Sequence, residues 1–182
     1  MKFMQTKNLN IRRMHADDWE DLYKLLSDEE SQAYQNKGVY TKEECIQEVL
    51  EMSKYNTSWS LCLKETSEVI GFITLYQVEP MNSSIFKLHF NATGISYENS
   101  YVVEAANRML QYAFEELAAH RVIGLTCVSD ILSNRVYQNI KMRKEGMLQR
   151  AHTYRVTRTK RPIWWDIYTF AILKEEWLKL IK

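Results

Sequence analysis

Apolar and polar positions alternate over residues 9–14 (Leu-Asn-Ile-Arg-Arg-Met), the two-residue period of a strand with one buried face. Beyond it the period lengthens. Trp19, Leu22, Tyr23, Leu25 and Leu26 recur at helical spacing behind Asp17 and Asp18, either of which can cap a helix. Thr41-Lys-Glu-Glu44 is a capping box, in which hydroxyl and carboxylate satisfy each other's end amides, and it opens a second helix through Cys45, Ile46, Val49, Leu50 and Met52. Residues 59–63 and 69–78, joined by the polar turn 64–68, read as a β-hairpin and residues 85–91 as the next strand, so this part of the sheet is expected to be antiparallel.

From Tyr101 the helical period returns, with Ala105, Ala106, Met109, Leu110, Ala113, Phe114 and Leu117 on one face. Residues 121–128 follow as a strand, 132–140 as a short helix, 146–154 and 164–173 as strands, and 174–181 as a closing helix. A helix joining two neighbouring strands makes a right-handed crossover, so strands 85–91 and 121–128 are expected to be parallel. The fold class is α/β (α+β), a mixed central sheet of about seven strands flanked by helices. No repeat, low-complexity tract or Gly/Ser/Pro-rich linker interrupts it, and residues 1–182 are read as one domain.

Composition narrows the function. A hydrophobic content of 46%, with five Gly and two Pro, suits a sizeable core and excludes a disordered chain. Lys plus Arg number 24 against 23 Asp plus Glu, without the basic excess of a dedicated nucleic-acid binder. Residues 150–161 are the local exception: Arg150, Arg155, Arg158, Lys160 and Arg161 occur there without an acid, either as a solvated hairpin or as a lip that steers an anionic acceptor. Cys45, Cys62 and Cys127 are too widely spaced for a metal motif or a disulfide framework and read as packed thiols. With no apolar leader and no run long enough to span a bilayer, a cytoplasmic protein without a membrane partner is expected.

Residues 104–121 (Glu-Ala-Ala-Asn-Arg-Met-Leu-Gln-Tyr-Ala-Phe-Glu-Glu-Leu-Ala-Ala-His-Arg) resemble the GNAT superfamily of acetyltransferases, in its ribosomal-protein N-terminal acetyltransferase branch. Ile70-Gly-Phe-Ile73, Ser133-Asn-Arg-Val136, Met142-Arg-Lys-Glu-Gly146 and the ending from Trp165 extend the resemblance over residues 9–177. It implies the GNAT acyl-CoA N-acyltransferase fold, acetyl-CoA as cosubstrate, an amine acceptor that is a small molecule or a protein N-terminus, and a homodimer. On the cofactor side it implies that pantetheine pairs with the strand edge at Phe90, Asn91 and Ala92. The diphosphate then lies on amides around Glu98, Asn99, Ser100, Tyr101 and Val102, with Asp130 and Asn139 standing where the family has asparagine and lysine.

The chain departs from the family pattern where that pattern is most polar or most glycine-rich. Glu98, Asn99 and Ser100 replace a Gly-x-Gly, Lys87 replaces a glutamate, His89 a glycine, and Lys141-Met142 a Gly-Phe. The amides remain, but Glu98 brings negative charge beside a diphosphate: turned outward it leaves a weaker site, turned inward it closes one. Without any ligand, Asn99 or Ser100 also reads as an ordinary helix cap.

For the chemistry, the resemblance makes Tyr137 or Ser133 the acid that protonates the departing thiolate; one helical turn puts both on one side. The plainer alternative buries Tyr137 in the core with its hydroxyl bonded and uses Ser133 as a cap. The base is open among His89, Glu104, Asp166 and a water chain, and His89 also reads as a structural histidine. Arg135, Lys141 and Arg143 are candidate phosphate partners, and Trp164 and Trp165 read as core or dimer surface. Three functions therefore stand: an acetyltransferase, a non-catalytic binding or regulatory module of the same fold, and, weakest, a nucleic-acid binder.

Overall fold

The computed structural model describes residues 4–35, 37–78, 80, 83–156, 159 and 161–181. In chain order the elements are β1 (Met4–Gln5), β2 (Leu9–Arg13), α1 (Trp19–Leu26), α2 (Lys42–Lys54), β3 (Ser58–Leu63), β4 (Val69–Gln77), β5 (Ile85–Ala92), α3 (Gly94–Glu98), α4 (Tyr101–Glu115), β6 (Arg121–Cys127), α5 (Ile131–Asn139), β7 (Arg143–Val156), β8 (Pro162–Leu173) and α6 (Lys174–Leu180). They build an eight-stranded sheet in the order β1-β2-β3-β4-β5-β6-β8-β7. The strand beyond the expected seven is β1, which pairs only Met4 with Ile11 and Gln5 with Asn10, too short to show an alternating pattern.

Alternation along β5 divides the molecule into two layers. Phe86, Leu88 and Phe90 face a core shared with Val102, Ala106, Met109, Leu110 and Phe114 of α4. On the other face, α1 and α2 close a second core with Leu22, Leu26, Cys45, Val49 and Phe72. Each large apolar side chain buried in this way contributes roughly 1.5–3 kcal/mol. The cysteines Cys45, Cys62 and Cys127 are buried free thiols, the first two in this second core.

Local signals explain the helix starts. At α2 the Thr41 hydroxyl accepts the Glu44 amide at 3.2 Å and the Glu44 carboxylate accepts the Thr41 amide at 2.8 Å. At α1, however, Asp18 makes no side-chain cap. Its carboxylate instead accepts the Arg12 guanidinium at 2.6 and 2.8 Å, the His15 amide and the Ser60 hydroxyl, tying β2, β3 and the start of α1 together. Burial alone would raise the Asp18 carboxyl, but these donors together hold it below its ordinary value.

The feature that positions a site lies at the middle of the sheet. β5 pairs antiparallel with β4 from Gly71↔Ala92 to Gln77↔Phe86, but parallel with β6 only at Ile85↔Arg121, Phe86↔Val122 and Lys87↔Ile123. Beyond Lys87 the two strands part. The Tyr137 ring from α5 fills the inner end of the wedge, stacked on Phe170 at 5.2 Å and tilted against Phe90 at 5.0 Å. It lies so close to β6 that a Cβ on Gly124 would come within 2.3 Å of it.

Candidate active site

A cavity of about 80 Å³ opens at the wedge, lined by Lys87, His89 and Phe90 of β5, Asp130, and Ser133 and Tyr137 of α5. Tyr137 is 1% exposed, and its hydroxyl donates to the Leu88 carbonyl at 3.0 Å. Burial first, then the fields of Tyr97, Asp130 and Tyr76, push its phenol well above the ordinary range, so it stays protonated as an acid must. Tyr137 is thus a packed ring with a bonded hydroxyl that lines the cavity.

Ser133 lies one turn before Tyr137 and is also buried. It does not cap α5; that is done by Asp130, whose carboxylate accepts the Ser133 amide at 3.0 Å. Tyr97, which no sequence signal marked, faces the Ser133 hydroxyl, and its phenol is pushed upward by burial and then by Asp130. Asn134 fixes the turn between β6 and α5, its Nδ2 donating to the carbonyls of Cys127, Val128 and Asp130 at 3.1, 3.2 and 2.7 Å.

Position separates the candidate bases. Glu104 binds the backbone amide and Nδ2 of Asn8 at 2.7 and 2.8 Å, which ties the start of α4 to the β1–β2 turn. Asp166 accepts the Arg150 amide at 2.7 Å and does not line the cavity. His89 lines it, 3.3 Å from the Gln35 side-chain oxygen, and desolvation followed by the neighbouring Lys87 ammonium lowers its pKa to about 4. The imidazole is therefore neutral at physiological pH.

The β7–β8 hairpin reaches over the same cavity. Trp165 and His152 line it, and Trp165 meets Tyr34 edge-on at 6.3 Å. Trp164 is 50% exposed. Arg158 and Lys160 of the basic stretch lie outside the described residues.

The expected diphosphate loop differs from a simple loop. Residues 94–98 form α3, and the amides of Asn99 and Ser100 donate back to the carbonyls of Ile95 and Tyr97 at 3.0 and 3.1 Å. Ser100 precedes α4 with a left-handed φ of 60° and makes no side-chain cap, nor does Asn99 precede that helix directly. The first bond into α4 is Glu104 to Ser100, which leaves the amides of Tyr101, Val102 and Val103 as the open donors of the helix end. The Val102 side chain is core.

A wider cavity of about 540 Å³ lies in front of α3, bounded by Ala92, Tyr97 and Glu98 on one side and the start of α5 on the other. Glu98 is exposed on its rim. Asp28, Glu30 and Asp130 are also among its described lining residues, which include no Lys or Arg. Asn91 is buried and donates to Gln32 at 3.3 Å. Asn139 is exposed at the end of α5 and lines neither cavity, as does the exposed Arg135. Arg143 is paired with Glu145 and Glu176. Lys141 takes the left-handed φ of 61° that ends α5.

A family model described as the acetyltransferase (GNAT) domain matches residues 8–143. The chain belongs to the GNAT family of acetyltransferases. A protein named as the uncharacterized N-acetyltransferase YnaD of Bacillus subtilis (strain 168) is 33% identical over 94% of this chain and 97% of its own. Among solved structures, a GNAT-family acetyltransferase from Bacillus anthracis matches with a TM-score of 0.85 and 26% identity, over 96% of this chain and all of that one. A ribosomal-protein-S5-alanine acetyltransferase from Vibrio fischeri has a TM-score of 0.77 at 14% identity, covering 97% and 99%, which is a likeness of fold alone. The GNAT chain is thus an acyl-CoA-dependent N-acetyltransferase, and the wedge between β5 and β6 is its candidate active site. Among the described residues, no helix is long and apolar enough to cross a membrane.

Proposed function

We propose that this GNAT enzyme acetylates a primary amine by direct attack on acetyl-CoA, with Tyr137 protonating the departing thiolate. The observation that carries the reading is the convergence of Tyr137, Ser133 and His89 on one cavity at the parted edge of β5. That edge, residues 88–92, has no β6 partner and suits an amide-bearing arm such as pantetheine, while the amides of Tyr101, Val102 and Val103 suit an anion. Acetyl-CoA supplies the activated thioester.

The amine forms the new C–N bond as the C–S bond breaks, and the Tyr137 hydroxyl gives its proton to sulfur. The Leu88 carbonyl already holds that hydroxyl at the strand edge. Ser133 and Tyr97 form the hydrogen-bonded surroundings from which Tyr137 is reprotonated. With a pKa near 4, His89 acts as a hydrogen-bond acceptor for the amine rather than as a strong base, and the amine's surplus proton leaves to solvent. The cavity of about 80 Å³ holds two or three waters at roughly 30 Å³ each, the size of a short acyl group.

Protein N-termini remain within the acceptor class, as the ribosomal-protein branch implies; the homodimer and cytoplasmic location of that branch belong to the same reading. Calorimetry with acetyl-CoA and thiol release over a panel of primary amines test it. Saturable heat with amine-dependent thiol release is expected. Folded protein that gives no heat at millimolar acetyl-CoA sinks it.

A further inference from the structure

With Phe86, Leu88 and Phe90 turned into the α4 core, the alternation of β5 leaves His89 and Asn91 on its other face, under segment 28–35 between α1 and α2. Two glutamines of that segment, three residues apart in a turn, meet them. The Asn91 Nδ2 donates to Gln32 Oε1 at 3.3 Å, and Gln32 Nε2 donates to the Leu25 carbonyl near the end of α1 at 3.1 Å. Gln32 is fully buried, so this pair pins the segment to the strand. Gln35 is thereby held with its side-chain oxygen 3.3 Å from His89 Nε2.

The polarity of that contact fixes the imidazole. A glutamine oxygen only accepts, so the ring nitrogen facing it carries the hydrogen. Burial first and the Lys87 ammonium second keep the ring neutral at physiological pH, with a single N–H to place. That N–H is at Nε2, and the lone pair is on Nδ1. Among the described residues Nδ1 has no hydrogen-bond partner, yet the buried polar atoms left without one are Ser83 Oγ, Arg108 Nη1 and Asn134 Oδ1. Nδ1 is therefore open to a cavity rather than sealed in the protein.

We propose that Gln35 is a positioning residue of the reaction: it holds His89 as the Nε2–H tautomer and so presents Nδ1 as the acceptor for an N–H of the incoming amine. This rests on the acetyltransferase reading above. The tautomer decides what the amine can do. An Nδ1–H would donate to the amine and occupy the lone pair that must attack the thioester, whereas a bare Nδ1 takes an amine hydrogen and leaves that lone pair free.

The test is nuclear magnetic resonance on the full chain with 15N-labelled histidine, without ligand at neutral pH. The chain has four histidines, and His89 is assigned by its loss in His89→Ala. Long-range 1H–15N couplings report which nitrogen carries the hydrogen. Nε2–H as the single tautomer is expected in the parent, and a mixture with Nδ1–H in Gln35→Ala, with circular dichroism unchanged. On the same samples kcat/KM for the amine should fall about tenfold, the worth of one hydrogen bond, with acetyl-CoA affinity in calorimetry within about twofold. Gln35 also borders the cavity in front of α3 and a third one, of about 430 Å³, between the sheet and α2, so it could act on a ligand directly. Adding Gln35→Ala to His89→Ala separates the two routes, and a further loss below about twofold is expected. An Nδ1–H tautomer in the parent, a tautomer unchanged by Gln35→Ala, or a tenfold loss that persists without His89 would overturn the proposal. The expected tautomer change in a folded chain that transfers no acetyl group supports the positioning and counts against the acetyltransferase reading instead.

Discussion

The two edges of β5 are built from one strand and behave in opposite ways. Toward β4 it is paired along its length, close enough at Gly71 that a Cβ there would come within 2.6 Å of the Asn91 carbonyl oxygen. Toward β6 it is paired over three residues and then released. The difference teaches where stability and chemistry reside. The paired side, continued through β3 and β2 to the Arg12–Asp18 pair, holds the sheet rigid, and the released side keeps backbone and side chains available to a substrate.

The largest effect is expected on the paired side. Asp18→Ala removes the acceptor of Arg12, Ser60 and the His15 amide, and costs about 3–5 kcal/mol as a broken buried pair. Denaturant unfolding measures the loss, and kcat of the remaining folded enzyme should stay within twofold. A drop in kcat larger than the folded fraction explains would break the separation between the two sides.

On the released side Gly124→Ala drives a methyl into the Tyr137 ring. About 1–3 kcal/mol of stability is expected to go, as for other overpacked sites. Turnover of the folded fraction should fall at least tenfold because the hydroxyl moves off the β5 edge. Full turnover at reduced stability would show that the ring's position is structural only.

Acid distinguishes the two sides as well. With a folded pKa near 4, His89 lies below its ordinary 6.5, so the unfolded chain takes up more protons between those values and stability falls as pH drops through that window. The expected loss is on the order of 1–3 kcal/mol. The part due to Asp18 follows at lower pH, as its own depressed carboxyl protonates. His89→Gln should flatten unfolding free energy between pH 6.5 and 4; an unchanged slope would move the effect to another group.

The smallest effects concern the cofactor mouth. Because its described lining carries carboxylates and no cation, moderate salt is expected to strengthen acetyl-CoA binding rather than weaken it. Glu98→Gln should tighten binding a few-fold in calorimetry, and Ser100→Gly should add about 1 kcal/mol of stability by relieving the left-handed backbone. Salt-weakened binding would mean that the phosphates meet cations elsewhere.

Much of this layout was legible in the residues. Period changes marked the main strands and helices, the Thr41–Glu44 box marked α2, and the crossover argument gave the one parallel pair. The parting of β5 from β6 was expected only through the family resemblance, at Phe90 to Ala92, since Leu88, Phe90 and Ala92 alternate as in any paired strand. The glycine departures were seen, but their meaning was not. Ser100 and Lys141 keep the left-handed backbone that glycine favours, so the conformation persists under a changed side chain. Tyr97, Tyr34 and Gln35 come from segments without a strong periodic signal, and only the fold brings them to the cavities. His89 led the candidate bases in the sequence, with Glu104 and Asp166 as alternatives, and their neighbours place only His89 at the cavity.

The central claim is that Tyr137 works as an acid at the released edge of β5. It is tested most directly by single-turnover acetyl transfer in Tyr137→Phe, with acetyl-CoA affinity measured on the same samples. A fall in rate of about 100-fold or more is expected from loss of a general acid, with affinity within threefold of the parent. Equal rates in the two proteins would contradict the account and leave Tyr137 as a core residue.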